Sequence, residues 1–490
     1  MELRRVLDPG LARPVILAAA VVAAATVIRL WVAANLKLAP DETYYWIWSQ
    51  ALAPGYLDHP PMVALWIAAG TDLTGVTPLG VRLLGPLSAA LASGLLFDAG
   101  RCLFPGTRAG TIAVVMLNAT LVLGAGSVIM TPDAPLLAFW IAALWAMARL
   151  LASGRGVWWL VAGVFAGLAS LSKYTAVFLW IGIGLWAVLV PTGRVWLRRW
   201  QPWAGLGAGA LLFVPVLAWN AAHDWVGLLK QGGRVGTWQP ARAAQFLGEL
   251  IGAQVGFATP WIFILCMIGL VVAIRRLRDT RWALLAALSV PPVLVFLQHA
   301  IGDRVQGNWP AIIYPALVLA AAGWLVARGR RDWIGASVLG FAITIIVYLQ
   351  ATFAFIPLPL KVDPIALRLG GWDGIARDME AARVATSATF IAADGYDTDS
   401  ELAWHLPAGV PVVGVDPRWA LFALPTASIG GQVGVLLRDS GRSEPPDPAT
   451  WAEAVKIGAL VRPGAPREYN VYRVVAAARP PVAVRLPHRH

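Results

Sequence analysis

Charge and cysteine are both scarce in this chain. Only 13% of its 490 residues are charged, and only two are cysteines. Cys102 and Cys266 lie in or beside apolar runs and far apart, which excludes a disulfide framework and a sulfur-ligated zinc site. No glycine-rich phosphate loop of a nucleotide-binding kind is present, so no nucleotide cofactor is expected. No repeat of about 20–50 residues is found either. Apolar residues are what the chain has in excess: 58% of it is hydrophobic and the mean hydropathy is +0.66. That is far above a soluble domain, and runs of about 18 or more apolar residues place the chain in the membrane class. A net charge of +12 would suit nucleic acid. The arginines instead stand in short loops between apolar runs, where they report topology, so no nucleic-acid partner is expected.

The first apolar run, Val15 to Ala34, follows Arg4 and Arg5. It is about 20 residues long with no small-x-small cleavage site before a mature domain, which reads as a spanning helix rather than a removed leader. About eleven spans follow from hydropathy: 15–34, 79–100, 109–129, 134–152, 157–171, 174–191, 203–221, 257–274, 282–300, 310–327 and 333–356. The basic clusters, from Arg4, Arg5 and Arg13 through Arg101, Arg108 and Arg149 to Arg328, Arg330 and Arg331, fall in every second loop. The positive-inside rule then puts the N-terminus in the cytoplasm and the intervening loops outside. An odd number of spans also puts the C-terminal region outside. The expected fold is an all-α polytopic membrane protein with a small C-terminal extracytoplasmic α/β domain. Its domains are 1–358 for the membrane part (35–78 being the first outer loop), 359–478 for the α/β domain, and a disordered tail at 479–490. Strands are expected in ATFIAADG, VPVVGV, QVGVLLR and EYNVYRVV, with a helix after the first.

The candidate chemistry gathers on the outer side. The loop NLKLAPDETYYWIWSQALAPGYLDHPPM carries two acidic clusters among aromatics and prolines. Asp41 to Ala53 can form a short helix between Pro40 and Pro54-Gly55. A second apolar segment starts at Met62, so the loop reads as two interfacial helices. Tyr44, Tyr45, Trp46 and Trp48 suit the headgroup level. Asp41-Glu42 can take a proton from an attacking hydroxyl, or can simply open a helix, where acids are favoured. Asp58-His59 can meet a phosphate or a divalent ion, or can form a turn with Pro60-Pro61; a metal there is an option, not a requirement. Lys173, flanked by apolar residues, suits an anionic phosphate or snorkels to the interface. Arg234 and Arg304 can bind phosphate in bidentate fashion or be solvated loop arginines. Asp133 in ITPDAP reads as a helix cap before Pro135. Asn308-Trp309-Pro310 reads as an interfacial helix entry.

With those residues in place, the series PDETYYW, YLDHPPMVALW, ITPDAPLLAFW, LSKYTAVFLW and VQGNWPAIIYPAL resembles the GT-C membrane glycosyltransferases. It is most similar to the ArnT and protein-mannosyltransferase group, in its RgtA/B/C/D-like branch, over about residues 35–325. The resemblance implies an inverting transfer of a hexosyl or pentosyl group from a polyprenyl-phosphate donor. The acceptor would be a lipid, lipopolysaccharide or other envelope glycan at the outer face of a bacterial cytoplasmic membrane. It implies Asp41 as general base or acceptor-orienting carboxylate, with Glu42 its neighbour, and Asp58 as the second acidic position. His59 stands where some ArnT-like members have lysine. Lys173 and Arg304 become donor-phosphate contacts, and Arg234, Tyr45 and Asn308 complete the candidate substrate-binding set. A leaving polyprenyl phosphate needs a membrane groove and cations but no nucleotide domain. The main alternative, a lipid or ion transporter, calls for ionisable groups deep in the spans. The spans read as nearly uncharged. A non-catalytic membrane scaffold is a third reading, which the acids and aromatics of the first loop disfavour.

Overall fold

The computed structural model describes residues 9–233, 238–359, 363–465 and 467–489. The chain forms two compact units. One comprises Met1–Ala33, Asp58–Val63 and Leu83–Tyr348; the other comprises Ala34–Leu57, Ala64–Arg82 and Leu349–His490. The division corrects the expected boundary at 358. Most of the first loop belongs to the unit that holds the C-terminal sheet, whereas Asp58–Val63 belongs to the helical unit.

The helical unit is the membrane part. Among the described residues, seven helices are long and apolar enough to cross a membrane, and up to ten if each bent pair is one span. Every expected span has a helix. The segment 157–171 is the short helix Val157–Ser170. Among the described residues, three helix pairs are bent at a short break: Ala109–Asn118 with Leu121–Val128 by 57°, Tyr174–Leu189 with Pro191–Leu197 by 100°, and Pro240–Ala258 with Pro260–Arg275 by 107°. Two of the breaks fall where proline opens the next helix, since proline has no N–H to continue the ladder but suits a first helical position. At the third, the Thr120 hydroxyl accepts from Leu123 N and caps the new helix.

Small residues set the closest packing. Gly163 and Gly167 of Val157–Ser170 face Gly205 and Gly209 of Trp200–Ala222, two matched G-x-x-x-G pairs of the kind that lets backbones touch in membranes. A Cβ at Gly163 would lie 2.0 Å from the Gly205 carbonyl oxygen, and one at Gly209 would lie 2.4 Å from that of Gly163. This contact anchors the helix that leads into Leu171, Ser172 and Lys173. The spans are less charge-free than their hydropathy suggests. Arg29, 2% exposed, donates to the Asn118 side chain at 2.9 Å, and Asn118 donates to Ser93 at 2.9 Å.

The second unit contains a six-stranded sheet of order β4-β5-β3-β1-β2-β6. Its strands are β1 (Phe390–Ala393), β2 (Val412–Gly414), β3 (Val433–Asp439), β4 (Trp451–Val461), β5 (Glu468–Ala476) and β6 (Val484–Arg485). β1 runs parallel to β2 and β3, and the outer pairings are antiparallel. The helix Tyr396–His405 connects β1 to β2. Phe390, Leu436, Trp451 and Val474 lie in the core of the sheet. One strand has no counterpart among the expected elements, and one feature differs from expectation. WAEAVKIGALV forms β4 although alanine, glutamate and lysine favour helices; its pairing along β5 decides the matter. The tail expected to be disordered carries β6, which pairs with β2 through Val413–Arg485 and Gly414–Val484.

Candidate active site

The first-loop helix, Pro40–Gln50, begins as its sequence dictates. Pro40 takes the first helical position, and the Glu42 side chain reaches back to accept from Ala39 N at 2.9 Å, as in a capping box. The same carboxylate accepts from Arg82 Nε at 2.7 Å and from its Nη2 at 2.6 Å, with both side chains fully buried. Arg82 also donates to the carbonyls of Leu36 and Lys37, at 2.6 and 2.8 Å. Glu42 therefore clamps the start of the helix. The fork of a guanidinium occupies the oxygens that proton transfer would use. Asp41 is half-buried in the same turn, and adjacent helical residues do not face one another.

Tyr44 and Tyr45 stand three and four residues beyond Asp41, on its side of the helix. Tyr44, Trp46 and Trp48 are at most 1% exposed, which corrects their assignment to the headgroup level. Tyr44 packs on Tyr396 at 4.5 Å and Trp419 at 5.7 Å, and Trp46 packs on Trp404 at 5.0 Å. Tyr45, an expected substrate contact, is 7% exposed and meets Trp48 edge-on at 4.9 Å. Trp48 in turn stacks on Tyr56 at 4.1 Å.

In the helical unit, Asp58 accepts from Lys230 Nζ at 2.5 Å, and its carbonyl accepts from Gln231 Nε2 at 2.7 Å. Met62 N donates to Leu171 O at 3.0 Å. The Asp-His-Pro-Pro turn is thus tied to two elements, the helix Val226–Gly232 and the end of Val157–Ser170. His59 is 8% exposed. An ammonium matched to Asp58 leaves that carboxylate a poor fit for a divalent ion. Among the described residues, no three His, Cys, Asp or Glu side chains gather as a metal site.

Lys173, 5% exposed, donates to both oxygens of Asp133 at 2.7 and 2.9 Å. Asn308 donates to the same carboxylate at 2.7 Å. Asp133 opens the helix Asp133–Ser153, but its side chain serves Lys173 and Asn308, which corrects the reading as a simple cap. Lys173 also lines a cavity of about 220 Å³ with Phe178, Val295, Phe296, Gln231, His299 and Trp309. Its walls are mainly apolar, with Lys173, Gln231 and His299 among the lining residues. Among the described residues, His299 Nε2 is buried without a hydrogen-bond partner.

Two other candidates stand apart. Arg304 is exposed and holds Glu249 in a bidentate pair at 2.6 and 3.0 Å; it does not line this cavity. Arg234 lies outside the described residues. Arg82, Lys230, Gln231 and His299 were not singled out as site residues from sequence. The usable signal for Arg82 and His299 was an ionisable side chain within or closing an apolar run.

Residues 58–219 match the family model described as dolichyl-phosphate-mannose-protein mannosyltransferase. The lipid A galacturonosyltransferase RgtD of Rhizobium johnstonii is 30% identical over 411 residues, which cover 80% of this chain and 84% of RgtD. Among solved structures, ArnT from Cupriavidus metallidurans bound to undecaprenyl phosphate aligns with a TM-score of 0.64 at 16% identity. The alignment covers 92% of this chain and 97% of ArnT, and the apo state of ArnT gives the same values. The ArnT likeness establishes the GT-C fold. Identity to RgtD along most of both chains establishes more: this multi-pass membrane protein is a glycosyltransferase and belongs to the RgtD family.

Proposed function

We propose that the protein transfers a uronic acid sugar from a polyprenyl-phosphate donor to a lipid A-type acceptor at the extracytoplasmic face of a bacterial cytoplasmic membrane. The observation that carries this reading is the cavity at Lys173. Apolar and aromatic walls suit a prenyl chain, and a buried ammonium in the same lining as His299, held by the Asp133 carboxylate that also accepts from Asn308, suits the phosphate at its end. The acceptor and sugar class follow RgtD, which acts on lipid A with galacturonic acid by name. The donor class follows the bound ligand of ArnT. The side of the membrane follows the alternation of arginine-rich loops.

The chemistry is a single displacement. An acceptor hydroxyl oxygen bonds to the anomeric carbon as the bond from that carbon to the phosphate oxygen breaks, with inversion. Asp41 takes the hydroxyl proton, and the polyprenyl phosphate leaves carrying the bond's electron pair. Lys173 and Asn308 bind the phosphate of the donor and keep hold of it as it leaves. His299 Nε2 offers a further donor in its protonated form or its Nε2–H tautomer. Asp58 holds Lys230, and no step is assigned to a metal. Glycolipids from cells with and without the gene, compared by mass spectrometry, test the proposal. Lipid A that carries one additional uronic acid only when the gene is present supports it, and identical glycolipid profiles reject it.

A further inference from the structure

The second unit places its sheet against the first-loop helix in a specific way. In open α/β sheets, ligands usually sit outside the carboxyl ends of the strands. Here the segments leaving the carboxyl ends of β1 and β2 meet Tyr44. Tyr396 follows β1 and packs on Tyr44 at 4.5 Å, while Arg418 and Trp419 follow β2. The Arg418 guanidinium lies 3.4 Å from the Tyr396 ring centroid and donates to the Tyr44 hydroxyl at 3.4 Å. Phe422 closes the group at 6.2 Å from Tyr44.

A polar chain runs beside these rings. Thr43 Oγ1 donates to Glu401 Oε1 at 3.4 Å, and Glu401 is fully buried. His405 lies 3.2 Å from Glu401 and 2.8 Å from Asp373, and Asp373 pairs with Lys37. Lys37 and Thr43 flank Asp41 in sequence, so both ends of the chain close on the segment that carries it. Glu401, His405 and Asp373 come from two helices of the C-terminal domain, Tyr396–His405 and Trp372–Ala385.

We infer that the C-terminal α/β domain is a positioning element for the transfer reaction. Tyr396, Glu401 and the Lys37–Asp373 pair fix the orientation of the helix that bears Asp41. The space outside the carboxyl ends of β1 and β2, where a ligand would otherwise bind, is filled by Tyr44. None of these residues touches substrate in this reading; they act through the first-loop helix. The inference rests on the reading of Asp41 as the base. Reacting groups displaced by about 1 Å lose on the order of a hundredfold in rate, so partial loosening of the helix is expected to cost about tenfold.

The test uses the full-length enzyme in nanodiscs, with undecaprenyl-phosphate-linked galacturonic acid as donor and lipid A as acceptor. Tyr396→Ala and Glu401→Ala are each expected to lower kcat about tenfold while donor KM stays within about twofold. Tyr396→Phe and Glu401→Gln, which keep the ring and an acceptor oxygen, are expected to restore most of kcat. Hydrogen exchange should rise at residues 41–50 and stay unchanged in β1 and β3. Lys37→Met breaks an exposed pair, whose loss costs at most about 1 kcal/mol of stability, and is expected to lower kcat about threefold, again with KM unchanged. Unchanged kcat in Lys37→Met and in the folded alanine variants overturns the inference. So does faster exchange at residues 41–50 with no loss of rate. Asp41→Asn is measured alongside. Full activity there sinks the base assignment, whereas an inactive Asp41→Asn with fully active Tyr396→Ala and Glu401→Ala sinks only the positioning role.

Discussion

Replacing Lys173 by methionine separates a structural ion pair from a phosphate contact. The Lys173 and Asp133 side chains are only 6% and 13% exposed, and their two hydrogen bonds are joined by a third from Asn308. Removing one partner of a buried pair costs about 3–5 kcal/mol, because the other charge stays buried. Lys173→Met is therefore expected to melt at a clearly lower temperature. A charge-assisted hydrogen bond from the ammonium to a donor phosphate is worth about 1.5–3 kcal/mol. Its loss raises donor KM roughly 10- to 100-fold. The double variant Lys173→Met/Asp133→Asn distinguishes the two effects. It removes both charges at nearly constant volume and keeps an acceptor oxygen for Asn308, so most of the lost melting temperature should return. Donor KM should remain high. Thermal melts in nanodiscs and initial rates against donor concentration give both readouts. A double variant that recovers donor KM with its stability refutes the phosphate role and leaves Lys173 as scaffold.

Glu42→Gln breaks the buried fork with Arg82 and is expected to lower the unfolding free energy in urea by about 3–5 kcal/mol; Asp41→Asn should leave that free energy within about 0.5 kcal/mol of the wild type while abolishing transfer. Burial raises the Glu401 carboxyl from 4.5 to about 6, against the opposing influence of His405. The folded chain therefore holds this proton to higher pH than the unfolded chain, and its contribution to stability falls as pH rises from about 4.5 to about 6. The loss is about 2 kcal/mol. Subtracting the urea stability of Glu401→Gln from that of the wild type at pH 4.5 and 7 isolates it, and an equal difference at both pH values contradicts it. Gly163→Leu forces a side chain into the Gly205 carbonyl and is expected to destabilise by about 1–3 kcal/mol or more. Gly184, whose Cβ would meet nothing within 4 Å, provides the control as Gly184→Ala.

Much of the fold was legible because a bilayer imposes a strong period-free signal: each expected span has its helix, and the four strands read from alternation are present. The misses share a physical cause. Hydropathy reports that Trp46 and Trp48 leave water but not what covers them, and a protein core took the place of headgroups. β4 mixes helix-favouring Ala, Glu and Lys with strand-favouring Trp, Val and Ile, so local preference does not decide it and pairing with β5 does. Site residues were identified by type and loop, whereas their partners depend on distant chain. Asp58 meets Lys230 across 172 positions and Lys173 meets Asp133 across 40, distances at which one sequence carries no pairing signal. The division between Asp41 and Glu42 needed Arg82, which sits inside an apolar run that hydropathy treats as a span.

The central claim is covalent sugar transfer from a polyprenyl phosphate. The most direct measurement incubates the purified protein in nanodiscs with undecaprenyl-phosphate-linked galacturonic acid and lipid A, and follows both lipids by mass spectrometry. The predicted result is lipid A carrying one galacturonic acid and an equal amount of free undecaprenyl phosphate, both lost in Asp41→Asn. No covalent product, together with movement of the intact donor across sealed vesicles containing the protein, would contradict the account and identify a transporter instead.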